Sequence, residues 1–457
     1  MGETLSNRFD RIDSITQEAS RESPSVTQPA TPDTTPEATE AASPATPQTA
    51  PTTTPTTPSA TVLARATRAR IAVFIVFALA GVAFATFASR IADSKASLGL
   101  TAGELGLTLF AASAGSLTAL PSAGRLASRL GASRTIQLGM VFGFAGLVVI
   151  AAAVDLFESR WVMAVGLYLL GMGVGVWDVA MNLEGAAVER LLGKTVMPHF
   201  HAAFSGGTVL SALIGAGMSW GHMPLLVHFA IAIVISAVLG VWALRSFLPR
   251  DAEVSDAEEQ EAAASAGTTP KSAWLEPRTL MIGLVVLAAA FTEGTANDWI
   301  SVGFVEGHDV PAWAGVLAFA AFLSFMTLGR LVGTRLLDTY GRVPVLRVTF
   351  AMAAVGSLMV IFGPAWLAYL GTAVWGVGAS LGFPVGMSAS ADDPARAAAR
   401  MSVVATIGYT AFIAGPPLLG FLGDHFTVLR ALMAVTVMVA LAMLVIPATR
   451  ELARRPG

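Results

Sequence analysis

Arg125-Leu126-Ala127-Ser128-Arg129-Leu130-Gly131 and, at an offset of 210 residues, Arg335-Leu336-Leu337-Asp338-Thr339-Tyr340-Gly341 share Arg, Leu and Gly at the same three places. The first heptad lies between the apolar runs Leu105–Leu120 and Ile136–Val154, the second between Trp313–Leu331 and Val345–Phe362. Three identities in a short basic loop carry little weight alone. Their position at the same point of two successive series of apolar runs suggests that the chain repeats itself.

Moving outward from the first heptad, further apolar runs fall at Ile71–Ala88, Val162–Met181, Phe204–Trp220 and Leu225–Leu244. Around the second they fall at Leu280–Ile300, Trp366–Val385, Val403–Leu422 and Leu429–Ile446. Each approaches the roughly 20 residues that an α-helix needs to cross about 30 Å of hydrocarbon. Helices and closed barrels are the structures that satisfy every backbone polar group in lipid, and the ten-residue alternation of barrel strands is missing. The expected fold is therefore an all-α membrane protein of twelve transmembrane helices in two pseudo-symmetric six-helix bundles, residues 67–246 and 278–448. A cytoplasmic linker at 247–277 joins them, and a second cytoplasmic tail covers 449–457. Residues 1–66, rich in Pro, Thr and Ala, offer too little apolar surface to offset their ordering entropy and are expected to form a disordered tail.

Composition agrees: 54% of the 457 residues are hydrophobic and 13% charged, with a mean hydropathy of +0.66, against about 25% charged in a soluble domain. A net charge of −3 and the lack of any basic run argue against a nucleic-acid partner. No Cys is present, and the six His show no ligand spacing, so no metal or cofactor is expected. No nucleotide cradle or nucleophile–base spacing suggests an enzyme. Lys and Arg are retained on the cytoplasmic side of membrane proteins. Beyond the N-terminal tail, the basic residues fall on one set of flanks except Arg90, Lys95, Arg160 and Arg430. That bias places both termini in the cytoplasm and the chain in the cytoplasmic (inner) membrane.

Acidic residues inside spans cost about 3 kcal/mol at the helix centre, so they usually face a cavity or a partner. Asp178, Glu293 and Asp298 are the candidates. Gly171, Gly175, Asp178 and Asn182 recur at helical spacing on one face of the fourth span. Asp178 and Glu293 read either as proton carriers or as interhelical hydrogen-bonders. Trp177, Trp299 and Tyr409 offer flat faces, and Asn182 and Asn297 offer donors and acceptors, for a small polar substrate. At an offset of 208, Arg90 corresponds to Asp298, which suggests a gate between the first and seventh spans; the alternative is a local pair of Arg90 with Asp93. Glycines and Pro384 in the tenth span can relax helix geometry or pack tightly.

From Ala66 to Ala448 the chain resembles the major facilitator superfamily. The family's loop signature reads here Gly124-Arg125-Leu126-Ala127-Ser128-Arg129-Leu130-Gly131-Ala132-Ser133-Arg134, with Ser128 in the place of the usual acid; Asp338, followed by Gly341-Arg342, keeps the acid in the second half. The resemblance implies a gating contact made by Arg125, Arg129, Asp338 and Arg342, whose other role is topological. A narrower resemblance is to the fucose-permease-like branch. It rests on Trp177-Asp178-Val179-Ala180-Met181-Asn182, His201-Ala202-Ala203-Phe204-Ser205, Glu293 to Trp299, and Gly408-Tyr409 with Gly415-Pro416-Pro417. In that branch an acid in an acid-x-Ala-x-Asn context takes part in proton-coupled sugar uptake, and Asp178 matches it. The companion acid of the first span is missing from Phe84-Ala85-Thr86-Phe87. The function implied is a monomeric secondary transporter that moves a small polar, sugar-like solute with protons. The alternatives are a drug or metabolite exporter and a non-transporting receptor or sensor on the same scaffold.

Overall fold

The computed structural model describes residues 60–194, 196–248, 272–393 and 396–451, so most of the N-terminal tail and most of the linker lie outside the described residues. Within them are twelve helices long and apolar enough to cross a membrane: α1 (Ala64–Ser97), α2 (Ala102–Leu130), α3 (Ala132–Asp155), α4 (Arg160–Leu192), α5 (Met197–Trp220), α6 (Leu225–Leu244), α7 (Pro277–Gly307), α8 (Ala312–Tyr340), α9 (Arg342–Phe362), α10 (Ala365–Ser390), α11 (Ala397–His425) and α12 (Val428–Thr449). The first bundle contains α1–α6 and the second α7–α12. An even number of spans puts the start of α1 and the end of α12 on one face, here called the terminal face.

The repeat is visible in the backbone. Helices α2 and α8 begin and end at the same offset, and each is joined to its successor by a single glycine. Gly131 (φ 82°, ψ 158°) and Gly341 (φ 77°, ψ 170°) hold a conformation that side chains at Cβ disfavour. Helix crossings repeat as well. A Cβ on Gly171 of α4 would collide with the Ala112 carbonyl of α2, and one on Gly376 of α10 would collide with the Phe322 carbonyl of α8. Small residues let lipid-embedded helices approach until their backbones touch, the close packing that holds such bundles together. Acids at span ends close the short loops: Asp155 Oδ2 accepts from Leu226 N–H at 2.8 Å, and Glu189 Oε2 accepts from Val196 and Met197 N–H, both at 2.7 Å. Each satisfies helix-start donors that would otherwise lie bare at the hydrocarbon boundary.

Three spans are interrupted, among them α12, which turns at Leu432 between Val428–Ala431 and Met433–Val445. α1 breaks at Ser89-Arg90 and resumes at Ile91. α10 consists of Ala365–Ala379 and Gly382–Ser390, with Ser380-Leu381 between them. Its pseudo-symmetric partner α4 runs unbroken for 33 residues.

The bundles meet at the face opposite the termini. There Lys95 pairs with Glu306, Thr101 Oγ1 donates to Asp424 Oδ2 at 3.2 Å, and Ser113 Oγ donates to the Phe412 carbonyl at 2.6 Å. Gly106 of α2 lies against Pro416 and Gly420 of α11. Followed toward the terminal face, the same stripes separate. Leu117, Pro121, Gly124 and Ser128 of α2 are exposed, as are Tyr409, Thr406 and Ser402 of α11. The two helices form a V-shaped cleft, closed at the opposite face and open at the terminal face.

Candidate functional site

The cleft walls carry the polar side chains of the bundle interiors. Along its face, α4 first packs Gly171 and Gly175 against α2, with Ser116 Oγ donating to the Gly171 carbonyl at 2.8 Å. One turn further Val176 and Val179 keep α4 against Ala119 and Ala123 of α2, while Asp178 between them is exposed. Asn182 Nδ2 donates to the Asp178 carbonyl at 2.8 Å and to its Oδ1 at 3.2 Å, fixing the carboxylate from the next turn. Tyr409, 42% exposed on α11, stands within electrostatic reach of Asp178 from the other bundle. A carboxylate, an amide and an aromatic face thus line one stretch of cleft.

In the second bundle Glu293 accepts from Arg330 Nη2 at 2.9 Å. The ends of both side chains remain partly accessible, at 21% and 35%. Arg330 also donates from Nε to the Ser380 carbonyl at 3.4 Å. His201, exposed at the start of α5, lies within electrostatic reach of Arg330. Counted along their helices at 1.5 Å per residue, Asp178, Glu293, Arg330 and Tyr409 lie about 15–24 Å from the terminal ends, in the middle third of each span.

Several expected residues lie elsewhere. Trp177 is fully buried inside the first bundle, edge-on to Phe144 and against Gly139, so it lines no cleft. Trp299 is buried in the core of the second bundle. Both indoles are apolar bodies that the helix packing absorbs, and neither Nε1 finds a partner. Asn297 is half-buried, its Oδ1 enclosed without a donor. The pairing of Arg90 with Asp298 is not made although the opposite face is closed. Arg90 Nε donates to Asp93 Oδ2 at 2.6 Å and Nη2 to the Met223 carbonyl at 2.9 Å, while Asp93 Oδ1 accepts from Ser219. The break in α1 makes Arg90 the first residue before a new helical turn, so Asp93 is its nearest anion. Asp298 is half-buried on α7. Of the loop residues, Arg125, Arg129 and Asp338 are exposed, whereas Arg342 donates to Asp392 Oδ1 at 2.8 Å and to Ser388 Oγ at 3.1 Å within its own bundle.

Arg330 is one of the basic residues that the flank bias alone assigns to topology. Its signal was available: Gly329-Arg330 lies inside an apolar run rather than after it, and a cation there needs an anion.

Two six-helix bundles around a polar cleft, with no strand among the described residues, define a multi-pass membrane protein. The chain belongs to the Major Facilitator Superfamily, which it matches over residues 71–331 and 313–457. An uncharacterised transporter of Sinorhizobium fredii is 29% identical over 378 residues, covering 82% of this chain and 96% of that protein. The crystal structure of the nucleoside transporter NupG superposes with a TM-score of 0.63 at 14% identity, covering 84% of this chain and 98% of that one. The E. coli fucose:proton symporter FucP superposes with a TM-score of 0.57 at 15% identity, covering 84% and 98%. As members of this superfamily are transporters, the chain is not an enzyme.

Proposed function

We propose that this protein is a monomeric proton-coupled symporter for a small polar, sugar-like solute, held in the cytoplasmic membrane with both termini inside. On that reading the cleft faces the cytoplasm. The observation that carries the proposal is Asp178: an acid within a membrane span, exposed on the cleft wall and held there by the Asn182 amide. A carboxylate so placed can exchange a proton with water while it borders the substrate path. Tyr409 and Asn182 supply the stacking face and the donor–acceptor pair that a ring with several hydroxyls uses. Glu293, with Arg330, serves as the second coupling acid. The nucleoside and fucose carriers among the structural neighbours transport solutes of that kind.

The test is a thermal-shift panel of sugars, sugar acids, nucleosides and lipophilic drugs on purified protein, followed by uptake into proteoliposomes under an imposed pH gradient. A stabilising sugar or nucleoside that accumulates only with the gradient is expected. Stabilisation by lipophilic drugs alone would favour an exporter. A ligand that binds without any flux would favour a receptor.

A further inference from the structure

The break in α10 has a chemical cause. In an unbroken helix the N–H of residue 384 would donate to the carbonyl of Ser380, four residues back, but residue 384 is proline and has no N–H. The Ser380 carbonyl is thus left without its helical donor in a fully buried residue. Leaving a buried carbonyl unpaired costs about 1–3 kcal/mol. The replacement donor comes from α8, where Arg330 Nε lies 3.4 Å from the Ser380 oxygen. The helices fit closely around that contact. A Cβ on Gly329 would fall 2.6 Å from Ser380 Oγ, and one on Gly333 would fall 2.5 Å from the Leu381 side chain. The other end of the same guanidinium holds Glu293 of α7 at 2.9 Å.

We infer that Arg330 is a positioning residue that links the charge on Glu293 to the hinge of α10, by donating at once to the Glu293 carboxylate and to the carbonyl that Pro384 orphans. While Glu293 is charged, it orients the guanidinium and the hinge carbonyl is satisfied. When Glu293 is neutral, Arg330 loses its anion and turns toward the cleft, and the hinge loses its donor. The second segment of α10, Gly382–Ser390, is then free to tilt against the first. The titratable neighbour of Arg330 from the other bundle is His201 of α5. The first bundle has no such device: at the offset of the glycine crossings, Gly175 and Val179 replace Ser380 and Pro384, and α4 is continuous. The inference rests on the reading of Glu293 as a coupling acid.

The test uses the full chain, which contains no Cys. Spin labels at Leu370→Cys and Ala391→Cys, one on each side of the hinge and about 30 Å apart along the helix, report its bend in nanodiscs. Glu293→Gln and Arg330→Gln should broaden or shift the distance distribution in the same way, and the double variant should go no further than either. Arg330→Lys, whose single ammonium cannot span both partners, should behave like Arg330→Gln. Pro384→Ala restores the helical donor without touching either charge, so its distribution should narrow and no longer respond to Glu293→Gln. The link is overturned if Glu293→Gln leaves the distribution unmoved, if the two charge variants add, or if the response survives in Pro384→Ala. Uptake measured on the same variants separates this from the coupling reading. A moved hinge with intact pH-driven accumulation keeps the link and removes Glu293 from coupling. Lost accumulation with an unmoved hinge does the reverse.

Discussion

Lys95, at the end of α1, and Glu306, at the end of α7, form an ion pair that joins the two bundles across the face opposite the termini. It occupies the place expected for Arg90 and Asp298, one from each pseudo-equivalent helix. The Lys95 side chain is 12% exposed and that of Glu306 is 38% exposed. A partly exposed pair contributes about 0.2–1 kcal/mol, which changes the ratio of closed to open forms up to about fivefold. Lys95→Glu should therefore speed maleimide labelling of a cysteine at Ala102, which is buried in the α2–α11 seam against Gly420. Adding Glu306→Lys should return the rate to that of the parent. If the double variant labels as fast as Lys95→Glu alone, the pair does not hold the seam.

The seam itself depends on Gly106. A Cβ there would land on the Pro416 carbonyl oxygen and 3.2 Å from Gly420 Cα, all backbone that cannot swing aside. Gly106→Val should keep the seam from closing while leaving the packing within each bundle intact. Expected are a melting temperature close to the parent's, fast labelling at Ala102→Cys, and transport reduced about tenfold or more. Gly124, on the same helix with nothing within 4 Å of its Cβ position, provides the control. Gly124→Ala should be active and up to about 1 kcal/mol more stable through helix propensity.

At the terminal face, Glu276 gathers the start of α7 and the start of α11. Burial alone would raise its pKa, but hydrogen bonds from Arg400 and Thr279 and the charges of Arg400 and Arg396 outweigh that effect and hold it below the ordinary carboxylate value. A depressed folded-state pKa means that the stabilisation is complete above the unfolded value of about 4.3 and is lost only as pH falls through the lower folded value. Glu276→Gln should thus cost on the order of 1 kcal/mol equally at pH 5 and pH 8. The pH profile of uptake between those values should be unchanged. A profile that shifts in Glu276→Gln would move the coupling chemistry to this face.

The chain disclosed its spans and its repeat because each is a one-dimensional signal: hydropathy over about twenty residues, or a short pattern recurring at a fixed offset. Contacts between helices are not of that kind. The loop residues of α2 and α8 are equivalent in the repeat, yet Arg330, a few residues before the second of them, reaches Glu293 and Ser380 on two other helices. Which way its side chain points depends on the crossing set by Gly329 and Gly333. Trp177 and Asp178 are adjacent in sequence and about 100° apart around the helix; one is buried in the bundle and the other faces the cleft. Hydropathy ranks both positions as notable and cannot tell their sides. The break in α1 similarly assigned Arg90 to Asp93, since one turn of helix is shorter than any path to α7.

The same division between neighbours makes the sharpest test of the site. Asp178→Asn preserves the shape of the side chain and an oxygen that can still accept from Asn182, and it removes the titrating charge. If Asp178 carries the proton, solute accumulation driven by a pH gradient should fall about tenfold or more, because each crossing no longer moves a charge with the solute. Exchange between solute-loaded vesicles needs no net proton movement and should persist near the parent rate. Trp177→Phe, one residue away, removes part of a ring packed on Phe144 and Gly139 and should cost stability, as core truncations do, without altering the pH dependence or the affinity for solute. Were Asp178→Asn to abolish exchange together with accumulation, the carboxylate would belong to solute binding. Were both to survive, the proton would have to travel by Glu293 alone, and the variant Glu293→Gln in the same vesicles would then show the whole loss.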